Sequence, residues 1–290
     1  MPELPEVETI RRGLSKFITK QKIKKTEIIC EKSFVGSAEE IKNATIIDLR
    51  RFGKALIIDL NNQKSLMIHL RMTGQLIYDS KDKKDQEDRF AAGHPSENFL
   101  DQLPNKQTRV IIELENGTLY FNDQRKFGFI KVLKTEEVEN DPFIKKLAKE
   151  PWDITPKELY QKLQKHKKSS IKATILDQTI IAGLGNIYAD ETLFMSKIHP
   201  STKSGQITKT QVETIIKNAK TVMEKSIDSG GSTLKDYKKA DGTKGDYLDK
   251  FAQIFNKEGQ PCPACSTTIK KIKVAGRGTH ICPHCQKEKK

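Results

Sequence analysis

The run VIIELENGTLYFN, residues 110–122, decides the architecture of the first half of this chain. Val110 to Leu114 and Thr118 to Asn122 are rich in β-branched and aromatic residues, and Asn116-Gly117 between them is a two-residue hairpin signal. Working outward, short apolar runs separated by turn-sized gaps recur at 44–49, 55–60, 65–70, 75–78 and 129–133. Such a series predicts an antiparallel β-sandwich or flattened barrel. Ahead of it, Leu4, Val7, Ile10, Leu14 and Phe17 recur at spacings of three and four, one buried stripe on a helix that opens near Pro5 and turns Arg11, Arg12 and Lys16 to solvent. The polar stretch from Asp79 to Gln107, with its Ser80-Lys81-Asp82-Lys83-Lys84-Asp85 run, lacks periodicity and reads as a mobile insertion between strands.

The pattern changes after Glu136. A segment with three prolines and the single tryptophan marks a linker, and helical spacing follows over 157–165, 170–182, 187–196 and 208–226. Four of the five cysteines then cluster at the end. The expected fold class is α+β with two domains. Residues 1–135 form the β-domain with its opening helix, 136–156 the linker, 157–255 a helical domain, and 256–290 a small cysteine module.

The charge is distributed unevenly. Of a formal +14, residues 151–290 hold 25 Lys+Arg against 14 Asp+Glu, so +11 falls in the second half. A polyanion is the leading partner class. No apolar run approaches the roughly 18 residues of a membrane span. The acidic start Met1-Pro2-Glu3-Leu4-Pro5-Glu6 is unlike a signal peptide, so a cytoplasmic protein without membrane contact is expected. Five cysteines in 290 residues are not a disulfide framework, and Cys30, alone in a strand-like run, is expected to be a reduced core residue.

Three motifs carry chemistry. Cys262-Pro263-Ala264-Cys265 and Cys282-Pro283-His284-Cys285, sixteen residues apart, can place four thiolates tetrahedrally around one structural zinc with a β-hairpin between them. A redox pair is the alternative. Four sulfurs complete the shell without His280 or His284, and eight basic against two acidic residues over 256–290 make the hairpin a cationic finger with Arg277 in its return arm. In Gly183-Leu184-Gly185-Asn186 a third glycine is missing, which excludes a dinucleotide fingerprint. A glycine turn opening a helix instead offers N–H groups and the Asn186 amide to a phosphate, with Lys162, Lys165, Lys167, Lys168 and Lys172 upstream as charge for a duplex backbone or as a solvated helix face. Finally, removal of Met1 would expose Pro2 as a secondary amine beside Glu3. An α-amino group titrates at roughly 7.7 to 8.0, so a useful fraction is nucleophilic near neutral pH and can form an imine with a sugar carbon. By itself, Met-Pro equally suits a stiff helix cap.

Taken together, Met1-Pro2-Glu3-Leu4-Pro5-Glu6-Val7-Glu8, Gly53-Lys54, Arg125-Lys126-Phe127-Gly128, Gly185-Asn186-Ile187-Tyr188-Ala189 and the four-cysteine finger resemble, in order and over essentially the full chain, the bacterial formamidopyrimidine-DNA glycosylases. The resemblance implies a β-sandwich followed by a helix-two-turn-helix domain and a zinc finger. The implied activity is base-excision repair, in which oxidised purines such as 8-oxoguanine and formamidopyrimidines are excised from duplex DNA and the strand is cut by β,δ-elimination. Carried over by position, Pro2 is the nucleophile, Glu3 the proton donor to the opening sugar, Lys54 a phosphate contact and general acid, and Arg277 the finger arginine at the lesion phosphates. A base turned out of the stack leaves a void. Met72 and Phe127 match the wedges that fill it, Arg125 the donor to the orphaned cytosine, and Lys168 and Asn186 phosphate contacts. Residues 232–247 match the segment that caps the flipped base. The chain departs from the family pattern at Arg71, at Gln124 and at Gln107-Thr108-Arg109, where Arg109 stands in as a DNA-binding cation. One zinc, a damaged duplex as partner, a monomer and a bacterial, nucleoid-associated location follow as expectations. Two alternatives remain: an endonuclease VIII-like glycosylase for oxidised pyrimidines, and a non-catalytic zinc-containing DNA-binding protein.

Overall fold

The computed structural model describes residues 2–81, 89–93, 103–231 and 247–288, which fall into two compact units. Unit one comprises residues 1–145 with 229–246; unit two comprises 146–228 with 247–290.

Unit one opens with helix α1 (Leu4–Ile18). Glu3 is its N-cap, the Glu6 carboxylate accepts from the Glu3 N–H at 2.8 Å, and Pro5 sits in the first turn. These are the local reasons the helix starts there. Two five-stranded sheets follow. One has the order β1 (Ile23–Ile28), β8 (Thr108–Leu114), β9 (Gly117–Asp123), β6 (Gly74–Ser80), β7 (Arg89–Gly93). The other has the order β2 (Phe34–Val35), β10 (Phe129–Lys134), β5 (Lys64–His69), β4 (Ala55–Leu60), β3 (Ile46–Phe52). All neighbours are antiparallel except the short β2–β10 pair. Alternate residues of both sheets, such as Leu56, Ile58, Val110, Ile112, Leu119 and Phe121, share one apolar core with Val7, Ile10, Leu14 and Ile18 of α1. The expected sandwich is therefore present. A short helix α2 (Pro142–Lys145) closes the unit's continuous part.

Four local expectations are corrected. Ile18 takes the fully buried place at the end of the α1 stripe, with Phe17 packed partly buried against Tyr78 and Phe90. The β8–β9 hairpin turns through Glu115 and Asn116, and Gly117 already belongs to β9. A Cβ on Gly117 would lie 2.5 Å from the Tyr78 ring, so the glycine is there for packing. Within the 79–107 stretch, Arg89–Gly93 forms β7 along β6, while 82–88 and 94–102 lie outside the described residues. Cys30 is unpaired as expected, but half-buried and not a core residue.

Unit two contains α3 (Pro156–Lys165), α4 (Ile171–Ile175), α5 (Asn186–Met195), α6 (Lys209–Asp228) and the hairpin of β11 (Lys270–Val274) with β12 (Arg277–Ile281). Thr155 caps α3 and Ser170 caps α4 through their side-chain oxygens. The helix expected over 170–182 stops at Ile175, and the chain then passes through turns to Gly185, the N-cap of α5. Among the described residues, no helix is long and apolar enough to cross a membrane.

Candidate nucleic-acid interface and active site

In unit one, Pro2 and Glu3 are buried at the start of α1, Glu3 being 2% exposed. Lys54 is buried in the turn between β3 and β4. Arg51 joins the two places: its guanidinium donates to the Glu8 carboxylate of α1 at 3.0 Å and to the Gly53 carbonyl at 3.0 Å. Burial alone would raise the Glu8 pKa, but hydrogen bonds from Arg11, Arg12 and Arg51 outweigh it and bring the carboxyl down to about 2. Glu8 is thus an anion at neutral and mildly acidic pH, and it fixes the helix to the Lys54 turn.

His69, which the sequence pattern left inside a strand, ends β5 opposite Ala55 and beside Lys54. Burial first, then the charges of Arg71 and Lys54, lower its pKa to about 3. Its Nδ1 accepts from the Arg71 N–H at 3.1 Å, so the ring is neutral there. The turn after it displays Met72, 40% exposed. A second turn displays Arg125 and Phe127, with Phe127 56% exposed and the Arg125 guanidinium 5.2 Å from its ring centroid. An exposed methionine and phenylalanine at turn tips are the reverse of a core placement, and they suit insertion into a base stack. Both turns are tied to Asp123, a fully buried residue that sequence reasoning passed over. Arg109 is different. It is 7% exposed, and its guanidinium donates to the carbonyls of Asp123, Lys106 and Thr108 at 2.7, 3.0 and 3.2 Å. That placement corrects its expected role: the charge serves the protein's own backbone and does not reach outward.

In unit two, Lys168, Lys165 and Lys167 are exposed. Lys172 is not. It is fully buried, paired with buried Asp190 at 2.6 Å, and donates to Thr279 Oγ1 at 2.7 Å and the Gly278 carbonyl at 3.2 Å. Its expected share in a backbone-binding surface is thus corrected; no spacing rule distinguishes it from its lysine neighbours. Asn186, first residue of α5, donates its side-chain amide to the same Gly278 carbonyl at 3.1 Å. Asp190 also accepts from the His280 N–H at 2.9 Å. These contacts fix the start of β12, where Arg277 stands exposed after the Ala275-Gly276 turn, both of whose residues have positive φ.

Cys262, Cys265, Cys282 and Cys285 bring their sulfurs within 4.8 Å of one another. Three of the separations are 4.0, 3.4 and 3.5 Å. Tetrahedral zinc with about 2.3 Å bonds needs roughly 3.8 Å between sulfurs, so the four thiols fit one ion. Cys262 and Cys282 also pack with Phe194 of α5, Ile254 and Ile269, a core too small to stand without that metal. Of the segment matched to base capping, 232–246 lies outside the described residues; Tyr247 is buried against Tyr188 at 5.6 Å between ring centroids.

Comparison with known proteins agrees with this geometry. Residues 1–130 match the formamidopyrimidine-DNA glycosylase N-terminal domain, 147–238 its H2TH domain, and 259–287 the zinc finger found in FPG and IleRS. The formamidopyrimidine-DNA glycosylase of Streptococcus thermophilus is 38% identical, with 99% of this chain and 100% of that protein covered. That of Mycoplasma mobile is 38% identical, with 99% of each covered. Among solved structures, a Lactococcus lactis FPG mutant in complex with Fapy-dG-containing DNA aligns with a TM-score of 0.86 at 34% identity, over 99% of this chain and 100% of that one. The complex of Lactococcus lactis Fpg with abasic-site DNA gives the same TM-score, identity and coverage. With three family domains in order and full-length relatives above 30% identity, the chain belongs to the formamidopyrimidine-DNA glycosylase family.

Proposed function

We propose that this protein is a bifunctional DNA glycosylase and abasic-site lyase of base-excision repair, acting on oxidised purines in duplex DNA. The observation that carries the chemistry is the Pro2-Glu3 pair at the head of α1, held to the buried Lys54 turn by the Arg51–Glu8 link. Once Met1 is removed, the Pro2 amine attacks C1′ of the damaged nucleotide and the base departs with a proton. Glu3 protonates O4′ as the sugar ring opens, leaving a Schiff base between Pro2 and C1′. The iminium acidifies the C2′ hydrogen. Its loss expels the 3′ phosphate, and a second elimination expels the 5′ phosphate. Lys54 and Arg277 neutralise the phosphates and assist their departure.

Binding requires the base to leave the stack. Met72 and Phe127 fill the gap, Arg125 donates to the orphaned cytosine, and Lys168 with the finger contacts the backbone. Zinc bound by the four cysteines supplies structural support to the hairpin and takes no part in bond breaking. The same proposal divides the chain into a catalytic β-domain at 1–135, a linker at 136–156, a helix-two-turn-helix domain at 157–255 and a finger at 256–290, working as a cytoplasmic monomer.

Borohydride trapping on a duplex carrying 8-oxoguanine tests the proposal. A covalent adduct with the wild type and none with Pro2→Gly is expected; absence of an adduct with the wild type refutes the enzyme. Faster excision of thymine glycol than of 8-oxoguanine would place it with the endonuclease VIII-like class instead.

A further inference from the structure

We propose that Asp123 is a positioning residue that locks the Met72 turn and the Arg125–Phe127 turn into one unit, so that filling the void and reading the orphaned base are coupled. The inference rests on the proposed roles of Met72, Arg125 and Phe127. Asp123 ends β9, is fully buried, and its side chain touches no part of the covalent machinery named above.

Four donors converge on its carboxylate. Oδ2 accepts from the Phe127 N–H at 2.8 Å and the Gly128 N–H at 2.7 Å, which sets the second turn. Oδ1 accepts from the Thr73 hydroxyl, which belongs to the first turn, and from the Arg125 N–H at 3.2 Å. That same Arg125 N–H lies 3.0 Å from Thr73 Oγ1. It is shared between an acceptor on its own turn and one on the other, so the Arg125 backbone cannot shift without loosening the Met72 turn. Hydrogen bonds to a buried charged acceptor are stronger than neutral ones.

The turns need such an anchor. Arg71 and Lys126, one in each, adopt left-handed φ of 52° and 57°, which non-glycine residues rarely take. Conformations of this kind persist only where surrounding contacts over-determine them. Met72 and Phe127, which these turns present, are exposed, and the hydrogen bonds that hold the turns come from the buried carboxylate below them.

The test compares single-turnover excision of 8-oxoguanine opposite cytosine with that opposite adenine, using the full-length zinc-loaded protein. Thr73→Val removes the bridging hydroxyl while keeping shape, and should lower the cytosine-to-adenine rate ratio roughly tenfold. Thr73→Ser restores the hydroxyl and should return the ratio to within about twofold of wild type. Asp123→Asn replaces the Oδ1 acceptor or the Oδ2 acceptor by a donor and should act like Thr73→Val. If Asp123→Asn does not fold, the threonine pair decides the matter alone. A ratio unchanged in Thr73→Val, or a fall shared by both duplexes, or failure of serine to rescue, overturns the inference while Arg125→Ala still collapses the ratio. If Arg125→Ala leaves the ratio intact, the role of Arg125 and the inference fall together.

Discussion

The Phe90 ring covers Gly13 so closely that a Cβ on the glycine would stand 2.3 Å from Phe90 Cε2. Alanine at an ordinary helix position is better than glycine by about 1 kcal/mol. Here the overlap reverses the sign, and Gly13→Ala should destabilise the protein by about 1–3 kcal/mol in urea unfolding. Phe90→Leu makes room, so the double variant should be more stable than the sum of the singles predicts by at least about 1 kcal/mol. Strict additivity would show that the contact is not felt.

Breaking the Lys172–Asp190 pair from one side leaves a buried charge alone. Lys172→Met should cost about 3–5 kcal/mol in unfolding free energy. Replacing both partners by apolar residues should recover much of that loss, yet leave β12 without its lysine contacts to Gly278 and Thr279. DNA affinity should then remain weak although stability returns, a split that fluorescence anisotropy and urea titration on the same sample would reveal.

Acid should act in two overlapping windows. Glu8, held at about 2 against an ordinary 4.5, stabilises the fold fully above pH 4.5 and loses that contribution as pH falls towards 2. His69, held at about 3 against 6.5, refuses a proton that the unfolded chain accepts, so stability falls as pH drops from 6.5 towards 3. The stability gap between wild type and Glu8→Gln should therefore narrow only below pH 4.5, whereas His69→Asn should flatten the slope between pH 4.5 and 6.5. Denaturant melts at four or five pH values would check both.

Salt dependence separates outward cations from inward ones. On an undamaged duplex, Lys168→Ala and Arg277→Ala should each reduce the slope of log K against log salt by about 0.9. Arg109→Ala should leave that slope alone and instead lower stability by about 1–3 kcal/mol, because three carbonyls lose their donor. A changed slope for Arg109→Ala would return it to the binding surface.

Metal removal should be selective. Cys262→Ser, or prolonged chelation, should abolish the bound zinc, expected at one ion per chain in the wild type and checked by elemental analysis, and weaken DNA binding severely. Unchanged metal content in the serine variant would refute the four-sulfur site.

Much of this molecule is legible in the chain. Seven of the described strands alternate or run apolar clearly enough to be placed within a few residues, and the paired cysteines announce themselves by spacing, whereas Pro2-Glu3 stands out only through the family resemblance. What escapes depends on contacts distant in sequence. The strand β7 is five residues of mixed character inside a polar stretch, and its signature was displaced to Gly13, a helix-interior glycine made necessary by Phe90. Lys172 looks like its lysine neighbours until α5 supplies Asp190. Asp123 reads as a polar strand end, because the four donors that give it meaning come from two turns which only sheet pairing brings together. His69 lies in an apolar run, and its neutral state comes from burial beside Arg71 and Lys54.

The way unit two grips β12 has a consequence for what the finger tolerates. Lys172 and Asn186 hold the Gly278 carbonyl and Asp190 holds the His280 N–H, both backbone groups, while Thr279 Oγ1 and the His280 ring, 3.4 Å from Asp190, add side-chain anchors. Backbone atoms are common to every amino acid. The mount is therefore least sensitive to composition at the turn: Ala275 and Gly276, both exposed and at positive φ, are exchangeable for other residues that tolerate that backbone without resetting the socket from which Arg277 projects.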